Sequence, residues 1–192
     1  MGMWLTIILT AAATYLVTLI IRQFLQQEKT VVRRIGHCYG VEEGAFVRST
    51  GSILAQPFLP GNRITPLING DQIFPAMLDA IRHARYTITF ETYIYWSGRI
   101  GREFAEALVA RARAGVRVHV LLDWFGAFNM DNRIVRAMKR VGVDVQYYHP
   151  LRWHTLHRAN SRTHRKLLVI DGTAGFTGGV GIADCWTGNG QD

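Results

Sequence analysis

The feature that most constrains this chain is a short motif near its end, where His164 and Lys166 come directly before the apolar run 167–170. An unbroken apolar run followed by turn residues predicts a buried β-strand. Because side chains alternate along a strand, His164 and Lys166 should share one face, about 7 Å apart along the chain. An imidazole suits nucleophilic or acid–base chemistry near neutral pH, and an ammonium suits an anionic group. The motif therefore predicts a phosphate-directed site at the beginning of a buried strand.

Three more residues extend this motif toward the end of the chain. Asp171 follows the strand out of phase with His164 and Lys166, so we expect it to support the site rather than to attack a substrate. Gly178 and Gly179 then form a turn at which the backbone can approach a ligand closely.

The spacing of His164, Lys166 and Asp171 fits the pattern H-x-K-x-x-x-x-D and resembles the phospholipase D superfamily, which has Gly-Ser or Gly-Gly at the place of Gly178 and Gly179. From about residue 60 to residue 186, the chain resembles the first half of a bacterial cardiolipin synthase-type enzyme. The stretches that carry this resemblance are 69–71, 90–94 and 121–123. It implies an α/β fold, a phospholipase D-like mixed sheet sandwiched by helices.

The resemblance also implies a reaction through a covalent phosphohistidine. His164, or its counterpart in a second motif, would attack a phosphodiester phosphorus, while the other histidine protonates the leaving alcohol. Lys166 would hold the non-bridging oxygens, Asp171 would complete the catalytic motif, and Gly178 and Gly179 would contact the substrate. No metal and no cofactor are implied. The expected function is phosphatidyl transfer between phospholipids, with phosphatidylglycerol or a related lipid as donor.

Two departures from the family pattern bear on this function. Gly181 stands where the family usually has Asn, so a side-chain amide near the phosphate is expected to be missing or replaced by backbone. The family enzymes also resemble two fused copies of one unit, whereas this chain carries a single motif and stops at Asp192, 21 residues after Asp171. We therefore expect the N-terminal part of a longer two-motif enzyme, inactive by itself, whose nucleophile-orienting acidic residue lies beyond Asp192.

Two alternatives remain open. The first is a phospholipase D-type phosphodiesterase or nuclease that pairs two chains, for which the net charge of +8 would serve an anionic substrate. The second is a non-catalytic fragment that binds membranes. Basicity does not choose between a lipid surface and nucleic acid, and it also fits a solvated surface without a dedicated partner. The apolar N-terminal segment favours an anionic membrane surface over nucleic acid.

Residues 1–21 contain no charged side chain and are long enough, at about 1.5 Å per residue, to cross a bilayer core of roughly 30 Å. A cleaved signal peptide would have a basic start and a shorter apolar region, so a retained transmembrane anchor over 1–22 is favoured. Arg22, Lys29, Arg33 and Arg34 follow it. The positive-inside tendency then predicts a cell-membrane protein whose body lies in the cytoplasm.

The rest of the chain divides into a connector over 23–62, rich in Gly and Pro beyond residue 35, and a phospholipase D-like domain over 63–192. Within the domain, strands and helices alternate from a short strand at 64–68 onward, which predicts a largely parallel sheet. The superfamily resemblance implies the same α/β sandwich, with mixed strand directions once the sheet is complete. A short helix or hairpin within the connector is left open.

Glu91 lies inside the predicted strand 87–95, and a carboxylate in a buried strand should have a partner. Two interpretations stay open, a structural pair with a basic side chain or a substrate-binding position close to the active site.

The segment 149–163 is basic and aromatic and leads directly to His164. It either guides phosphate headgroups to the site, with Trp153 at the lipid interface, or is a solvated basic loop. Its histidines have irregular spacing and no nearby carboxylates or cysteines, which argues against a metal site. Cys38 and Cys185 fit no metal spacing and are expected to be incidental or structural thiols.

Overall fold

The structure is a computed structural model that describes residues 2–25, 39–150 and 162–189. Its first element, helix α1 (Gly2–Leu25), contains a candidate membrane span, Gly2–Arg22, with a mean hydropathy of 2.1 and an exposed surface. Thr6, Thr10 and Thr18 donate their hydroxyls to backbone carbonyls four residues earlier, at 2.8 to 2.9 Å. These hydrogen bonds satisfy three hydroxyl donors of an otherwise apolar helix, so these threonines are compatible with a span.

Helix α2 (Gly44–Leu54) lies in the predicted connector, where the sequence left a short helix open. It ends at Ala55, whose φ of 52° places it in the left-handed region that commonly terminates helices. The N–H groups of Ala55 and Gln56 turn back to the carbonyls of Ser52 and Gly51. None of the α2 residues is buried.

The C-terminal region alternates helices and strands before two final strands. In chain order, its elements are α3 (Asn69–His83), β1 (Thr87–Thr92), α4 (Arg99–Arg113), β2 (Arg117–Asp123), α5 (Asn132–Arg140), β3 (Asp144–Tyr148), β4 (Lys166–Ile170) and β5 (Ala174–Thr177), followed by a 3-10 turn (Asp184–Trp186). Asp131 caps helix α5, since its side chain accepts a hydrogen bond from the Arg133 N–H at 2.7 Å.

The five strands form one mixed sheet in the order β3-β2-β1-β4-β5. Strands β1, β2 and β3 are parallel, whereas β4 is antiparallel to β1 and β5 is antiparallel to β4. The mixed directions implied by the superfamily resemblance are confirmed. The parallel arrangement predicted from the alternation holds for β1, β2 and β3, and β4 and β5 add the antiparallel part. The register pairs Ile88 with Ile170 and Thr92 with Lys166. This register places the start of β4 beside the end of β1.

One face of the sheet carries the hydrophobic core. Its strand side chains are Ile88, Phe90, Val118, Val120, Leu122, Val145, Leu168 and Ile170, which pack against α3, α4 and α5. The Phe104 ring of α4 stacks on Phe90 at a centroid distance of 5.9 Å and meets Phe74 of α3 edge to face at 6.0 Å. In the described part of the chain, the other face presents polar side chains such as Thr89, His119 and Gln146, which are exposed.

The predicted strand over 64–68 is wrong. These residues have no regular secondary structure, and α3 begins at Asn69. Pro66 lacks the N–H that a ladder needs, and the Ile64 side chain is 92% exposed. The isoleucines that suggested a strand therefore do not contribute to the sheet.

Candidate active site

His164 and Lys166, two of the three predicted catalytic residues, lie at one edge of the sheet, the edge formed by the ends of its parallel strands. The carboxyl ends of the parallel strands β1 and β2 reach this edge at Thr92 and Asp123. Because β4 runs antiparallel to β1, its first residue, Lys166, lies at the same edge, directly beside Thr92. Loops converge where parallel strands end, so this edge is where an α/β sheet usually holds a ligand.

His164 and Lys166 come together as predicted. Lys166 Nζ lies 3.2 Å from Nε2 and 3.3 Å from Nδ1 of the His164 imidazole, and it donates to the His164 carbonyl at 3.2 Å. The imidazole is exposed, while the lysine side chain is partly buried. Burial lowers the pKa of the Lys166 ammonium below its usual value, because the charged form loses solvation. The pair offers a reactive ring and a partly desolvated cation to the same space.

Tyr93, which no local sequence pattern indicated, packs beside this pair. Its ring centroid lies 5.1 Å from that of His164 and 5.5 Å from Lys166 Nζ, a cation–π distance. Gly126 packs behind it, where an added Cβ would lie only 2.0 Å from the Tyr93 carbonyl oxygen. The tyrosine is therefore held between the β2–α5 loop and the histidine.

Asp123 fixes the chain that leads to His164. Its fully buried carboxylate accepts hydrogen bonds from the Phe125 and Gly126 N–H groups through Oδ1, at 3.0 and 3.1 Å, and from the Thr163 N–H through Oδ2, at 2.9 Å. Three backbone donors compensate the burial of a charge. One side chain thereby joins the β2–α5 loop to the residue before His164. The sequence signal was a carboxylate directly after an apolar strand.

Glu91 has partners on the sheet face away from Lys166. It pairs in register with Leu167, so its side chain points to the opposite side of β4 from the lysine. Glu91 Oε1 accepts a hydrogen bond from the Thr163 hydroxyl, and Oε2 lies 3.9 Å from Nη1 of Arg165, which is 78% exposed. The carboxylate thus has a basic neighbour, and its closest contact is the residue before His164.

Asp171 lies at the other end of β4 from Lys166. Its carboxylate accepts three backbone hydrogen bonds, from the N–H groups of Arg85, Tyr86 and Thr87, at 2.7 to 2.8 Å. These bonds, first that from Thr87, lower the pKa of Asp171. Asp171 and Gly172 both have positive φ, as the hairpin turn between β4 and β5 requires. The aspartate of the motif therefore ties this turn to the start of β1.

The glycine pair and the residue two places after it have different surroundings. Gly178 and Gly179 are exposed, and a Cβ at either position would have no atom within 4 Å in the described part of the chain. At Gly181, a Cβ would lie 2.8 Å from Ile94 Cβ and 2.9 Å from the Trp186 ring. Only glycine fits there, so the family asparagine could not be accommodated at position 181 without displacing its neighbours.

Asp184 connects the segment after the glycine pair to α4. Its two carboxylate oxygens accept the N–H groups of Arg99 and Ile100, each at 2.8 Å, as an N-terminal cap supplied from a distant part of the chain. These two bonds lower the pKa of Asp184, with Ile100 the larger cause. The backbone of Ile182 also bonds to Ile94 and Trp96. No local sequence pattern indicated that Asp184 caps α4.

Comparison with known proteins decides the family. A family model described as "Cardiolipin synthase, PLD-like domain" matches residues 77–185, which is more than half of the chain. The chain belongs to this phospholipase D-like family. The match covers the sheet strands β1 to β5, and it contains His164, Lys166 and Asp171.

Similar proteins carry the same family name. The chain is 38% identical over 124 residues to cardiolipin synthase 1 of Bacillus anthracis, covering 64% of this chain and 24% of that protein. It is 30% identical over 177 residues to cardiolipin synthase A of Pseudomonas fluorescens, covering 87% of this chain and 37% of that protein. Among solved structures, it is similar to a phospholipase D family member, Nuc from Salmonella typhimurium, with 18% identity, a TM-score of 0.48, and coverage of 64% of this chain and 71% of that one.

Some predicted features lie outside the described residues. The basic and aromatic segment before His164 falls mostly in 151–161, and Cys38 falls in 26–38. Cys185 is exposed and free. Within 2–25, 39–150 and 162–189, there is no cluster of three His, Cys, Asp or Glu side chains that could hold a metal ion.

Proposed function

We propose that this chain supplies the first motif of a membrane-bound phosphatidyltransferase that makes a cardiolipin-type lipid. The observation that carries the proposal is the contact of Lys166 Nζ with the His164 imidazole at an open sheet edge, in a chain that belongs to the cardiolipin synthase-type family. The relatives are much longer than this chain, so the activity, the substrates and the partner half are part of the proposal.

The reaction proceeds in two displacements at phosphorus. In the first, a neutral imidazole nitrogen of His164, or of the histidine in the second motif, attacks the phosphodiester phosphorus of phosphatidylglycerol. A P–N bond forms, the P–O bond to glycerol breaks, and the other histidine protonates the leaving oxygen. In the second, the hydroxyl of another phosphatidylglycerol gives its proton to that histidine and attacks the phosphorus. The P–N bond breaks, and the free enzyme returns.

The residues around His164 have distinct roles in this scheme. Lys166 holds the non-bridging phosphate oxygens, and its partial burial strengthens that attraction. Tyr93 orients the imidazole, and Asp123 holds the chain that carries it. The open space above Gly178 and Gly179 leaves their backbone accessible to the phosphate. Glu91 acts through its hydrogen bond with the Thr163 hydroxyl, and Asp171 acts through its hydrogen bond with the Thr87 N–H at the start of β1. Both residues therefore position the site rather than contact the reacting atoms.

A second motif completes the site. One histidine cannot be nucleophile and acid at opposite sides of the same phosphorus, so a second H-x-K-x-x-x-x-D half is required, from the same chain or from a second subunit. The coding sequence beyond codon 192 and the mass of the natural protein distinguish these two sources. With the second motif in the same chain, residues 1–192 alone are inactive.

The membrane is the proposed location of this reaction. Helix α1 is the proposed anchor, and the basic residues after it, beginning with Arg22, support a cytoplasmic side for the catalytic domain. The net charge of +8 is compatible with an anionic lipid surface, and the apolar N-terminal segment favours that surface over nucleic acid.

A turnover assay with two substrates tests the proposal. The natural protein, reconstituted in liposomes containing phosphatidylglycerol, should release glycerol and form a cardiolipin-type product, whereas His164→Asn should abolish both. Single- and double-stranded DNA are offered in parallel. DNA cleavage that depends on His164, without lipid turnover, would replace the lipid assignment with the nuclease alternative. Full lipid turnover by His164→Asn would exclude the histidine from the chemistry.

A further inference from the structure

The loop between β2 and α5 presents two aromatic rings to solvent. Phe125 is 55% exposed and Phe128 is 75% exposed, while Ala127 and Met130 in the same loop are buried. A single exposed apolar side chain is ordinary, but these two rings lie three residues apart in one turn. We call residues 124–130 the aromatic turn.

The aromatic turn is held firmly by its own backbone. The Asp123 side chain accepts the Phe125 and Gly126 N–H groups, and the Ala127 N–H donates to the Asp123 carbonyl at 2.9 Å. The Phe128 N–H donates to the Phe125 carbonyl at 3.1 Å, closing the turn between the two rings. The Gly126 carbonyl accepts from the Trp96 indole at 3.1 Å. The two phenylalanine rings therefore project from a turn whose backbone conformation is fixed by hydrogen bonds.

Positive charge accompanies the rings, close to the candidate active site. The Arg162 guanidinium lies 4.5 Å over the Phe125 ring, and Arg162 is two residues before His164. The backbone of Gly126 packs against Tyr93, whose opposite neighbour is the His164 ring. Arg165 is exposed, and its guanidinium lies 3.9 Å from the Glu91 carboxylate. Aromatic rings beside cations at one edge of a domain suit a lipid–water interface, where rings enter the headgroup layer and cations meet phosphates.

We propose that the aromatic turn is a membrane-docking element, which inserts Phe125 and Phe128 into the headgroup layer of an anionic bilayer with Arg162 at the level of the phosphates. This inference rests on the proposed function, since it concerns how a site for phospholipids reaches them. Docking brings the edge with His164 and Lys166 to the lipid surface, so that a phospholipid headgroup enters the site without leaving the bilayer. The favoured partner is lipid because the same chain bears a candidate membrane span, and the net charge of +8 suits an anionic lipid surface.

A site-specific fluorescent probe tests the docking. Cys38 and Cys185 are replaced by Ser in the natural protein, and Phe128→Cys is labelled with an environment-sensitive dye. The matched control is Tyr86→Cys, because Tyr86 is 69% exposed and lies at the opposite edge of the sheet, beside Asp171. Both proteins are reconstituted in phosphatidylglycerol and phosphatidylcholine vesicles that contain a lipid with a nitroxide quencher near its headgroup.

Docking predicts that the dye at position 128 is quenched at least about twice as strongly as the dye at position 86. Equal quenching at the two positions would overturn the inference. A dye at position 128 that is already shielded in detergent and unaffected by the quencher would also overturn it, because a protein surface would then cover the turn.

Turnover separates this inference from the proposed function. Phe128→Ser should lower the rate of lipid turnover by the reconstituted protein about three- to tenfold, while Tyr86→Ser should not change it. Lipid turnover by the natural protein together with an unquenched dye at position 128 would reject the docking and retain the function. Absence of lipid turnover in the natural protein, with a quenched dye, would reject the function and retain a membrane-docking turn.

Discussion

The two ends of strand β4 carry residues of the same motif in opposite environments. At its start, Lys166 contacts the exposed imidazole of His164 at an open edge. At its end, all the described contacts of the Asp171 carboxylate are with backbone N–H groups at the start of β1. The start of the strand leaves a reactive side chain open to solvent, whereas the end is hydrogen-bonded to the neighbouring strand. Residues that form one sequence motif thus need not form one cluster in space.

The largest effect should come from the histidine at the open end. We expect His164→Gln to lower lipid turnover by the natural protein by on the order of 10⁴-fold, since it removes either the nucleophile or the acid. Its midpoint of thermal unfolding should stay close to that of the wild type, because the imidazole is exposed. A large loss of stability in this variant would contradict the division between the two ends.

Replacement of the lysine should give the next largest effect. We expect Lys166→Met to reduce turnover by roughly 10²- to 10³-fold through loss of phosphate stabilisation. In the wild type, burial lowers the pKa of Lys166, and the protonated form is the one that binds phosphate. Turnover should therefore fall as pH rises through this lowered pKa, below the usual value for lysine. The rate profile measures this, and Lys166→Arg, which stays protonated, should lack that alkaline decline.

The buried carboxylate behind the open end should affect both stability and turnover. In Asp123→Asn, an amide N–H₂ would face one or more of the three backbone donors that the carboxylate now accepts. We expect a loss of about 1–3 kcal/mol in the free energy of unfolding. Denaturant unfolding measures this, with the exposed Asp79→Asn as the control. Equal stability of the two variants would show that the Thr163 contact does not matter.

The stability contributed by Asp171, at the end of β4, should depend on acid. The backbone hydrogen bonds depress the pKa of Asp171, so its contribution to stability is present above the ordinary carboxylate pKa of about 4 and is lost as pH falls through the lowered pKa. Asp171→Asn keeps a residue that tolerates positive φ but removes the charge. Its unfolding midpoint should be lower at neutral pH and should decline less in acid. An unchanged acid dependence would show that Asp171 is not a source of this stability.

The smallest effect should come from the anchor of the segment after the glycine pair. Asp184→Ala removes the cap of α4, which typically costs about 1 kcal/mol of stability. Thermal unfolding measures the loss, and Asp184→Asn should recover part of it because an amide oxygen can still accept one N–H. A variant as stable as the wild type would show that α4 begins without this cap.

Much of the domain followed from local patterns. The predicted strand 87–95 and the apolar run 167–170 correspond to β1 and β4 to within a few residues. The direction of β4 did not follow from alternation, because its pairing with β1 joins residues about 80 positions apart, such as Ile88 and Ile170. The strand expected at 64–68 failed because apolar residues there remain exposed.

Local patterns predicted part of the candidate site as well. The alternation of side chains along a strand is such a pattern, and it predicted that His164 and Lys166 lie close together, as they do in the structure. Tyr93, Asp123 and Asp184 were missed because each acts across a long sequence separation, which no local period reveals. The Asp171-Gly172 pair did carry a signal for its structural role, since Asp-Gly is typical of a hairpin turn.

Trapping of the covalent intermediate tests the central claim most directly. The natural protein is incubated with phosphatidylglycerol, quenched in alkaline denaturant because phosphohistidine is labile to acid, and mapped by mass spectrometry. We expect a phosphatidyl adduct on a histidine of an H-x-K-x-x-x-x-D motif, His164 or its counterpart, which does not form in His164→Gln and still forms, at a reduced rate, in Asp171→Asn. Product formation without any histidine adduct, or an adduct that accumulates at the wild-type rate in His164→Gln, would contradict the account.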